Sequence, residues 1–189
     1  MHTAQMRAGA LPFPRILYFT DLRLYLYVSV FVALDLSVSW FCHIIHPLTG
    51  PTLLPLFFFV LLAGILFGWR AGILIGLLTP LFSYALSGMP LPQILPRIII
   101  EASVYGLAAG ILHGRFSFAV FPSLVAAIIA GRLAAFMLMA LSLGLSHSAE
   151  LTWEAAQSGW PGIFIQVLLL PLIVVLLKRI SSGRHHAEG

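Results

Sequence analysis

Charged side chains are rare in this chain of 189 residues, and several of them lie inside long apolar stretches. Arg97 and Glu101 follow a proline-rich turn and are four residues apart, a spacing at which two side chains can pair on one helix. Asp35 and Arg132 lie in other apolar stretches. A charged group in a lipid-embedded helix is costly and often marks a solute or ion pathway. These four residues are therefore the first candidates for a polar site.

The composition is that of a protein embedded in a membrane. Hydrophobic residues make up 60% of the chain and charged residues 8%, which is typical of polytopic membrane proteins. At about 20 apolar residues per span, the length allows six helices and leaves no room for a soluble catalytic or nucleotide-binding domain. The net charge of +4 is therefore used to infer on which side of the membrane each loop lies. It does not indicate a nucleic-acid partner. The single cysteine, Cys42, excludes an internal disulfide and a cysteine metal cage, and we expect no cofactor.

Prolines, glycines and polar residues divide the chain into six predicted transmembrane helices. An N-terminal arm, residues 1–20, precedes them, and a polar tail, residues 181–189, follows them. The predicted spans are 22–45, 53–69, 71–87, 94–113, 117–145 and 161–178. A turn at 88–93 separates the third and fourth spans, and the polar segment 146–160 is predicted to be a long loop. We therefore expect an all-α membrane protein whose six-helix domain covers residues 21–180.

The distribution of lysine and arginine predicts the orientation in the membrane. With the N-terminus inside, eight basic residues fall on the inner side, Arg97 falls on the outer side, and Arg132 lies within the fifth span. The inner set is Arg7, Arg15, Arg23, Arg70, Arg115, Lys178, Arg179 and Arg184. We predict that both termini are inside (N-in, C-in) and that the segments 88–93 and 146–160 face outside.

Three of the charged groups are predicted to lie at one depth. From a rise of about 1.5 Å per residue, Asp35 lies about 20 Å and Arg132 about 22 Å from the inner surface, and Glu101 lies about 10 Å from the outer one. In a hydrocarbon core about 30 Å thick these positions coincide. One interpretation is a structural pair, Glu101–Arg132 or Asp35–Arg132, that locks helices together. The other is that these groups line a cavity open to the outside and hydrogen-bond a polar solute. The two interpretations are compatible.

A second group of candidates lies at the predicted outer rim. Trp153 and Trp160 fall in or beside the predicted loop, and Gln166 lies about one turn into the sixth span. Tryptophan at this position is typical of an anchor in the headgroup region, whereas an amide in an apolar span needs a partner. Aromatic walls with a few polar groups also suit a small aromatic solute. The predicted solute-binding set is thus Glu101, Arg132, Arg97, Asp35, Gln166, Trp153 and Trp160.

Small residues recur at every fourth position in several spans. The glycine series are Gly64, Gly68, Gly72 and Gly76, and then Gly106, Gly110 and Gly114. This spacing puts small residues on one helix face, where membrane helices approach each other closely. Ser29, Ala33 and Ser37 form a similar stripe on the first span. The stripe is either internal packing or, if it faces lipid, a docking surface for another membrane helix.

Three blocks, in order along the chain, are similar to a known family. They are LLAGILFGWRAGILIGLLTPLFSYALSGMP, IIIEASVYGLAAGIL and SGWPGIFIQVLLLPLIVVL. They resemble the family's glycine-spaced second and third helices, its Glu-x-x-x-Tyr-Gly-x-x-x-Gly fourth helix and the Pro-Gly-Ile-x-x-Gln start of its sixth helix. Gly131 and Arg132 also match a Gly-Arg step in its fifth helix. On these residues the chain, over roughly residues 38–180, resembles the substrate-binding membrane subunits (S components) of energy-coupling factor (ECF) type ABC importers.

The resemblance implies a six-helix S-component-like bundle that captures a vitamin-like small-molecule solute outside a bacterial cell (inner) membrane. It implies no catalysis by this chain, since a separate pair of ATP-binding cassette ATPases powers transport through a transmembrane coupling subunit. It also implies that Ser29, Ala33 and Ser37 face the coupling subunit, and it adds Tyr105 to the solute-binding set. Some relatives have Pro-Met-His where this chain has Pro-Leu-Phe at 55–57, and the particular vitamin is left open.

Two other classes of function are considered beside transport. A structural six-helix scaffold of a cell-envelope assembly predicts that the charged groups are fully paired with one another and that no cavity adjoins them. An intramembrane enzyme, such as a protease or a lipid-modifying protein, requires a nucleophile with its base or a metal cluster at one depth, and the sequence shows neither pattern.

Overall fold

A computed structural model describes residues 17–45, 55–143 and 145–184, and these residues form a bundle of helices. The helices are α1 (Leu22–Ile45), α2 (Pro55–Phe67), α3 (Trp69–Ser87), α4 (Leu95–Gly114), α5 (Val120–Leu143) and α6 (Leu145–Arg184). Within the described residues, α1 and α3 to α6 each contain a segment long and apolar enough to cross a membrane, and α2 is a shorter apolar helix. The predicted all-α bundle is confirmed. Most of the predicted N-terminal arm, residues 1–16, and residues 185–189 of the tail lie outside the described residues.

The helices α1 and α2 run in opposite directions. In the segment that precedes α1, the Leu17 N–H donates to the carbonyl oxygen of Phe67, the last residue of α2. Further along α1, Phe31 contacts Phe59, which lies earlier in α2, at 6.2 Å between ring centroids. The two contacts show that α1 and α2 are antiparallel, as expected for consecutive helices that cross a membrane in opposite directions.

A single glycine separates α2 from α3. Gly68 has a φ of 90°, which side-chain-bearing residues rarely adopt, and the helix resumes at Trp69. The preceding Phe67 is buried and stacks on Tyr27 of α1 at 4.6 Å between ring centroids. The sequence interpretation placed this link at residues 69–71. The structure places the break between the two helices at Gly68. Glycine is the residue that adopts this positive φ without a steric penalty.

Glycine spacing brings α3 and α4 into backbone contact. A Cβ at Gly72 would lie 2.6 Å from the Cα of Gly106, and one at Gly76 would lie 2.6 Å from the carbonyl carbon of Ala102. The predicted close packing is therefore confirmed for this pair of helices, which run antiparallel. Gly114 is different, because a Cβ there would meet no atom within 4 Å.

Arginines gather at one end of the bundle. Arg70, in the first turn of α3, lies over the rings of Tyr18 and Trp69, at 4.7 and 4.6 Å from their centroids. The last turn of α4, which precedes Arg115, approaches Trp69, and Arg23 lies in the first turn of α1. These positions agree with the count of basic residues that predicted an inner face. The sidedness itself stays a prediction.

The predicted loop at 146–160 is wrong, because this segment is the first part of α6. The helix has 40 residues, a length of about 60 Å or twice the hydrocarbon thickness of a bilayer. Its apolar, span-length part is Gly159–Leu177. The preceding segment is polar but rich in Ala, Glu, Gln and Leu, which favour helix, and Pro161 lies inside the helix without ending it. The predicted tail likewise begins inside α6, which ends at Arg184.

Candidate functional site

Glu101 is the centre of a buried polar cluster between α4 and α5. Its exposed fraction is 2%. The Nε atom of Arg132 lies 3.1 Å from Glu101 Oε1, and the Nε atom of Arg97 lies 3.8 Å from Oε2. The Tyr105 hydroxyl donates a hydrogen bond of 3.0 Å to Oε1. We call these four residues the Glu101 cluster, and they include both members of the predicted Glu101–Arg132 pair.

The helices position this cluster by spacing and by a glycine. Arg97, Glu101 and Tyr105 are four residues apart and therefore share one face of α4. On α5, a Cβ at Gly131 would overlap the Tyr105 ring, so the glycine gives the ring its place beside Arg132. The Gly-Arg step noted in the sequence thus has a packing reason.

Phe57 of α2 is a member of this region that the sequence reasoning missed. It is buried, and its ring lies 4.9 Å from that of Tyr105 between centroids. The sequence analysis noted only that Phe57 stands where some relatives have histidine, and it gave the residue no role, since an aromatic residue in an apolar span is usually part of the core. The contact brings α2 against the cluster from a third side.

The Glu101 cluster carries more positive than negative charge. Two guanidinium groups surround one carboxylate, and their side chains are 15–16% exposed against 3% for Glu101. The Nη2 atom of Arg132 is buried and has no hydrogen-bond partner among the described residues. A guanidinium has five N–H donors, so Arg132 retains donors that can bind an acceptor group.

Gln166 lies on the buried face of α6. Its exposed fraction is 1%, and Leu170 and Val174, at the following four-residue spacings, are also buried. This face packs towards α5 and α2. The sequence predicted that this amide needs a partner, and the structure encloses it within the bundle.

Trp153 and Trp160 are not brought to the Glu101 cluster. They are 64% and 65% exposed, and their spacing of seven places them on one face of α6 with Phe164 and Leu168. That face is opposite to the one that carries Gln166. The exposed position is the one expected for an anchor at the membrane interface.

Asp35 is also separate from the Glu101 cluster. It is fully buried where α1 meets α3, beside Thr79. Arg132 pairs with Glu101, so the alternative Asp35–Arg132 pair is wrong. The two carboxylates were predicted to share a depth, and they lie at different helix contacts.

A cavity of about 660 Å³ lies between the ends of α1 and α3, at the turn that follows Ser87. It is lined by Leu36, Ser37, Ser39, Trp40, Ser83, Leu86, Ser87 and Met89. Half of these residues are serines, and the sequence reasoning gave Ser83 and Ser87 no role. The signal that could have found them is that serines on two different spans lie near the same predicted membrane surface.

The stripe of small residues on α1 is on the surface of the bundle. Ser29, Ala33 and Ser37 are all exposed. The hydroxyls of Ser29 and Ser37 donate to the carbonyls of Tyr25 and Ala33, which leaves a surface with few free polar groups. Of the two interpretations of the stripe, internal packing is therefore wrong for this bundle.

Comparison with known proteins gives one family. The family model described as ECF transporter, substrate-specific component, matches residues 26–180. No curated protein and no solved structure matches the chain. The match covers most of the sequence, including α3 to α5 and every residue of the Glu101 cluster. The chain belongs to the family of substrate-specific components of ECF transporters.

Proposed function

We propose that this protein captures a vitamin-like small molecule on the outer side of a bacterial cell membrane and delivers it inward. Membership of the substrate-specific component family is the observation that carries the proposal. Transport then requires a transmembrane coupling subunit and a pair of ABC ATPases, and this chain supplies recognition. The same membership argues against the scaffold and enzyme alternatives, although the pairing within the Glu101 cluster is a feature that the scaffold hypothesis predicted.

The proposed solute contacts are Arg132, Arg97, Glu101, Tyr105 and Gln166. The buried, unbonded Nη2 atom of Arg132 and the excess positive charge of the cluster support a solute that presents a carboxylate or a carbonyl oxygen. A hydrogen bond from a charged donor in a water-poor site contributes about 1.5–3 kcal/mol. Glu101 fixes the orientation of both guanidinium groups, so it acts on the solute mainly by positioning them.

The proposed docking surface for the coupling subunit is the exposed stripe of Ser29, Ala33 and Ser37. Small residues at four-residue spacing let the backbone of a second helix approach closely. Replacing Ala33 with tryptophan should block assembly with the coupling subunit and leave solute binding unchanged. Co-purification of the complex measures this, and Leu141→Trp, at an 87% exposed position of α5, is the matched control. Assembly that survives Ala33→Trp would exclude this surface.

The test of solute capture uses the full-length protein in detergent. Thermal unfolding is measured against a panel of vitamins, and native mass spectrometry of protein from its own membrane identifies any retained molecule. We expect at least one compound to raise the unfolding temperature. If no compound stabilises the protein and no molecule is retained, the proposed function is wrong.

The role of Arg132 is tested by Arg132→Gln. Loss of the charged donor should weaken binding of the stabilising compound by about 10- to 100-fold. Arg179→Gln, at an exposed position near the end of α6, changes the net charge equally and should leave the dissociation constant unchanged. Wild-type affinity in Arg132→Gln would remove this residue from the solute site.

A further inference from the structure

A buried carboxylate that the proposed solute site does not use lies at the contact of α1 with α3. Asp35 and its neighbour Thr79 both have an exposed fraction of 0%. The two side chains are neighbours, but neither carboxyl oxygen nor the hydroxyl makes a hydrogen bond with any described residue. An isolated buried charge costs several kcal/mol. When it is ionised, Asp35 therefore needs a compensating cation.

Hydroxyls elsewhere in these helices are satisfied by their own backbone. Ser29, Ser37 and Ser87 each donate to the carbonyl four residues earlier, at 2.7–2.9 Å, which is the common arrangement in a helix. Thr79 does not, and the buried hydroxyl of Ser39 is also unbonded within the described part of the chain. Ser39 lies one helical turn from the carboxylate. Two oxygen ligands are thus available beside the acid.

The backbone of α3 provides a further oxygen in the same turn as Thr79. Pro80 is buried inside α3, and proline has no N–H. The carbonyl of Gly76, four residues earlier, therefore lacks its usual helical hydrogen bond. The helix continues through Pro80, and backbone carbonyls without a helical hydrogen bond are ligands for Na⁺ in membrane transporters.

The cavity between α1 and α3 gives this group a route to solvent. Ser39 belongs both to the unbonded group and to the lining of the cavity of about 660 Å³. Ser37, Ser83 and Ser87 add three more hydroxyl-bearing side chains to the lining. Asp35 and Thr79 do not line the cavity, so Ser39 is the member of the group that an ion from the cavity would meet first.

We propose that Asp35, Thr79 and Ser39 bind a sodium ion that reaches them through the α1–α3 cavity. The donors are oxygens, one of them a carboxylate, which suits a hard cation. One carboxylate matches the single charge of Na⁺, and ligands from both helices mean that the ion holds α1 against α3. This site is independent of the Glu101 cluster, which uses other helices for its ionic contacts.

The test is the thermal unfolding of the full-length protein in detergent at fixed pH and ionic strength, with choline chloride replaced stepwise by NaCl. We expect a saturable rise of about 3–6 °C at ten times the dissociation constant of Na⁺. Binding of radioactive ²²Na⁺ should reach one ion per chain. An unfolding temperature that is the same in both salts, without ²²Na⁺ binding, overturns the proposal.

Three variants separate this site from a general salt effect. Asp35→Asn keeps the shape of the side chain and should abolish the sodium-dependent rise, and Thr79→Val should weaken Na⁺ binding by at least tenfold. Glu154→Gln removes an exposed carboxylate of α6 and should keep the full rise. A sodium effect of wild-type size in both Asp35→Asn and Thr79→Val would overturn the assignment, whatever the outcome of the solute-binding tests.

Discussion

The two buried carboxylates of this bundle, Glu101 and Asp35, have opposite surroundings. Glu101 has two arginines within 4 Å and accepts a hydrogen bond from Tyr105. Asp35 is buried to a similar extent, but no described residue forms a hydrogen bond with either of its carboxyl oxygens. The protein therefore supplies full compensation for one charge and leaves the other to a group from outside.

The difference between the two carboxyl groups indicates which atoms at each site are free to bind a group from outside the protein. At Glu101 the charge of the carboxylate is balanced by two arginines, and the hydrogen-bond donors that remain unused belong to Arg132. At Asp35 the atoms without a partner are the two oxygens of the carboxyl group itself. The first site thus favours an acceptor on the solute, and the second favours a cation.

The largest expected effect comes from neutralising each carboxylate in turn. Glu101→Gln should lower the free energy of unfolding by about 3–5 kcal/mol, because it leaves two partly buried guanidinium groups without a counter-charge. Asp35→Asn, measured in sodium-free buffer, should change it by less than about 1 kcal/mol or increase it, because no ion pair is lost. Denaturant unfolding of both variants in the same detergent measures the difference.

This pair of variants is its own control, since each replaces an acid by its amide at a fully enclosed position. A loss of stability in Asp35→Asn as large as that in Glu101→Gln would mean that Asp35 has a partner within the protein. The contrast between the two sites would then disappear.

The sequence was sufficient for most helices and for the contact of Glu101 with Arg132, but not for the surroundings of Asp35. Apolar length and proline turns predicted most helix ends to within a few residues, and the rise per residue predicted that Glu101 and Arg132 would meet. The same rise put Asp35 at that depth, yet Asp35 faces Thr79 of α3. The rise per residue gives only the position of a side chain along the membrane normal. The neighbour that the side chain faces depends on how the helices pack together, which the sequence of one span does not show.

The first part of α6 shows a different reason for an incorrect prediction. The polar composition of residues 146–160 suggested a loop. Their Ala, Glu and Gln content favours helix, however, and Pro161 is accommodated within α6. Polarity distinguishes lipid from water as the surroundings of a segment, and it does not distinguish helix from loop.

A smaller effect is expected where the Glu101 cluster depends on shape. Gly131→Ala places a methyl group against the Tyr105 ring and should lower the free energy of unfolding by about 1–3 kcal/mol. Gly114→Ala is the matched control, because a Cβ there is in open space at the end of α4, and it should change the free energy of unfolding by less than about 0.5 kcal/mol. Equal stability of the two variants would show that the ring moves without cost and that Gly131 does not position the cluster.

The smallest effect concerns the third partner of Glu101. Tyr105→Phe removes the hydroxyl that donates to Oε1 at 3.0 Å and keeps the ring contact with Phe57. Arg132 and Arg97 remain, so the free energy of unfolding should fall by only about 1.5 kcal/mol, the value of one hydrogen bond to a charged group. Tyr84→Phe, at a partly exposed tyrosine of α3 (38%), should change it by less than about 0.5 kcal/mol. A loss in Tyr105→Phe that equals the loss in Glu101→Gln would mean that the tyrosine, and not the arginines, is the main compensation for the buried carboxylate.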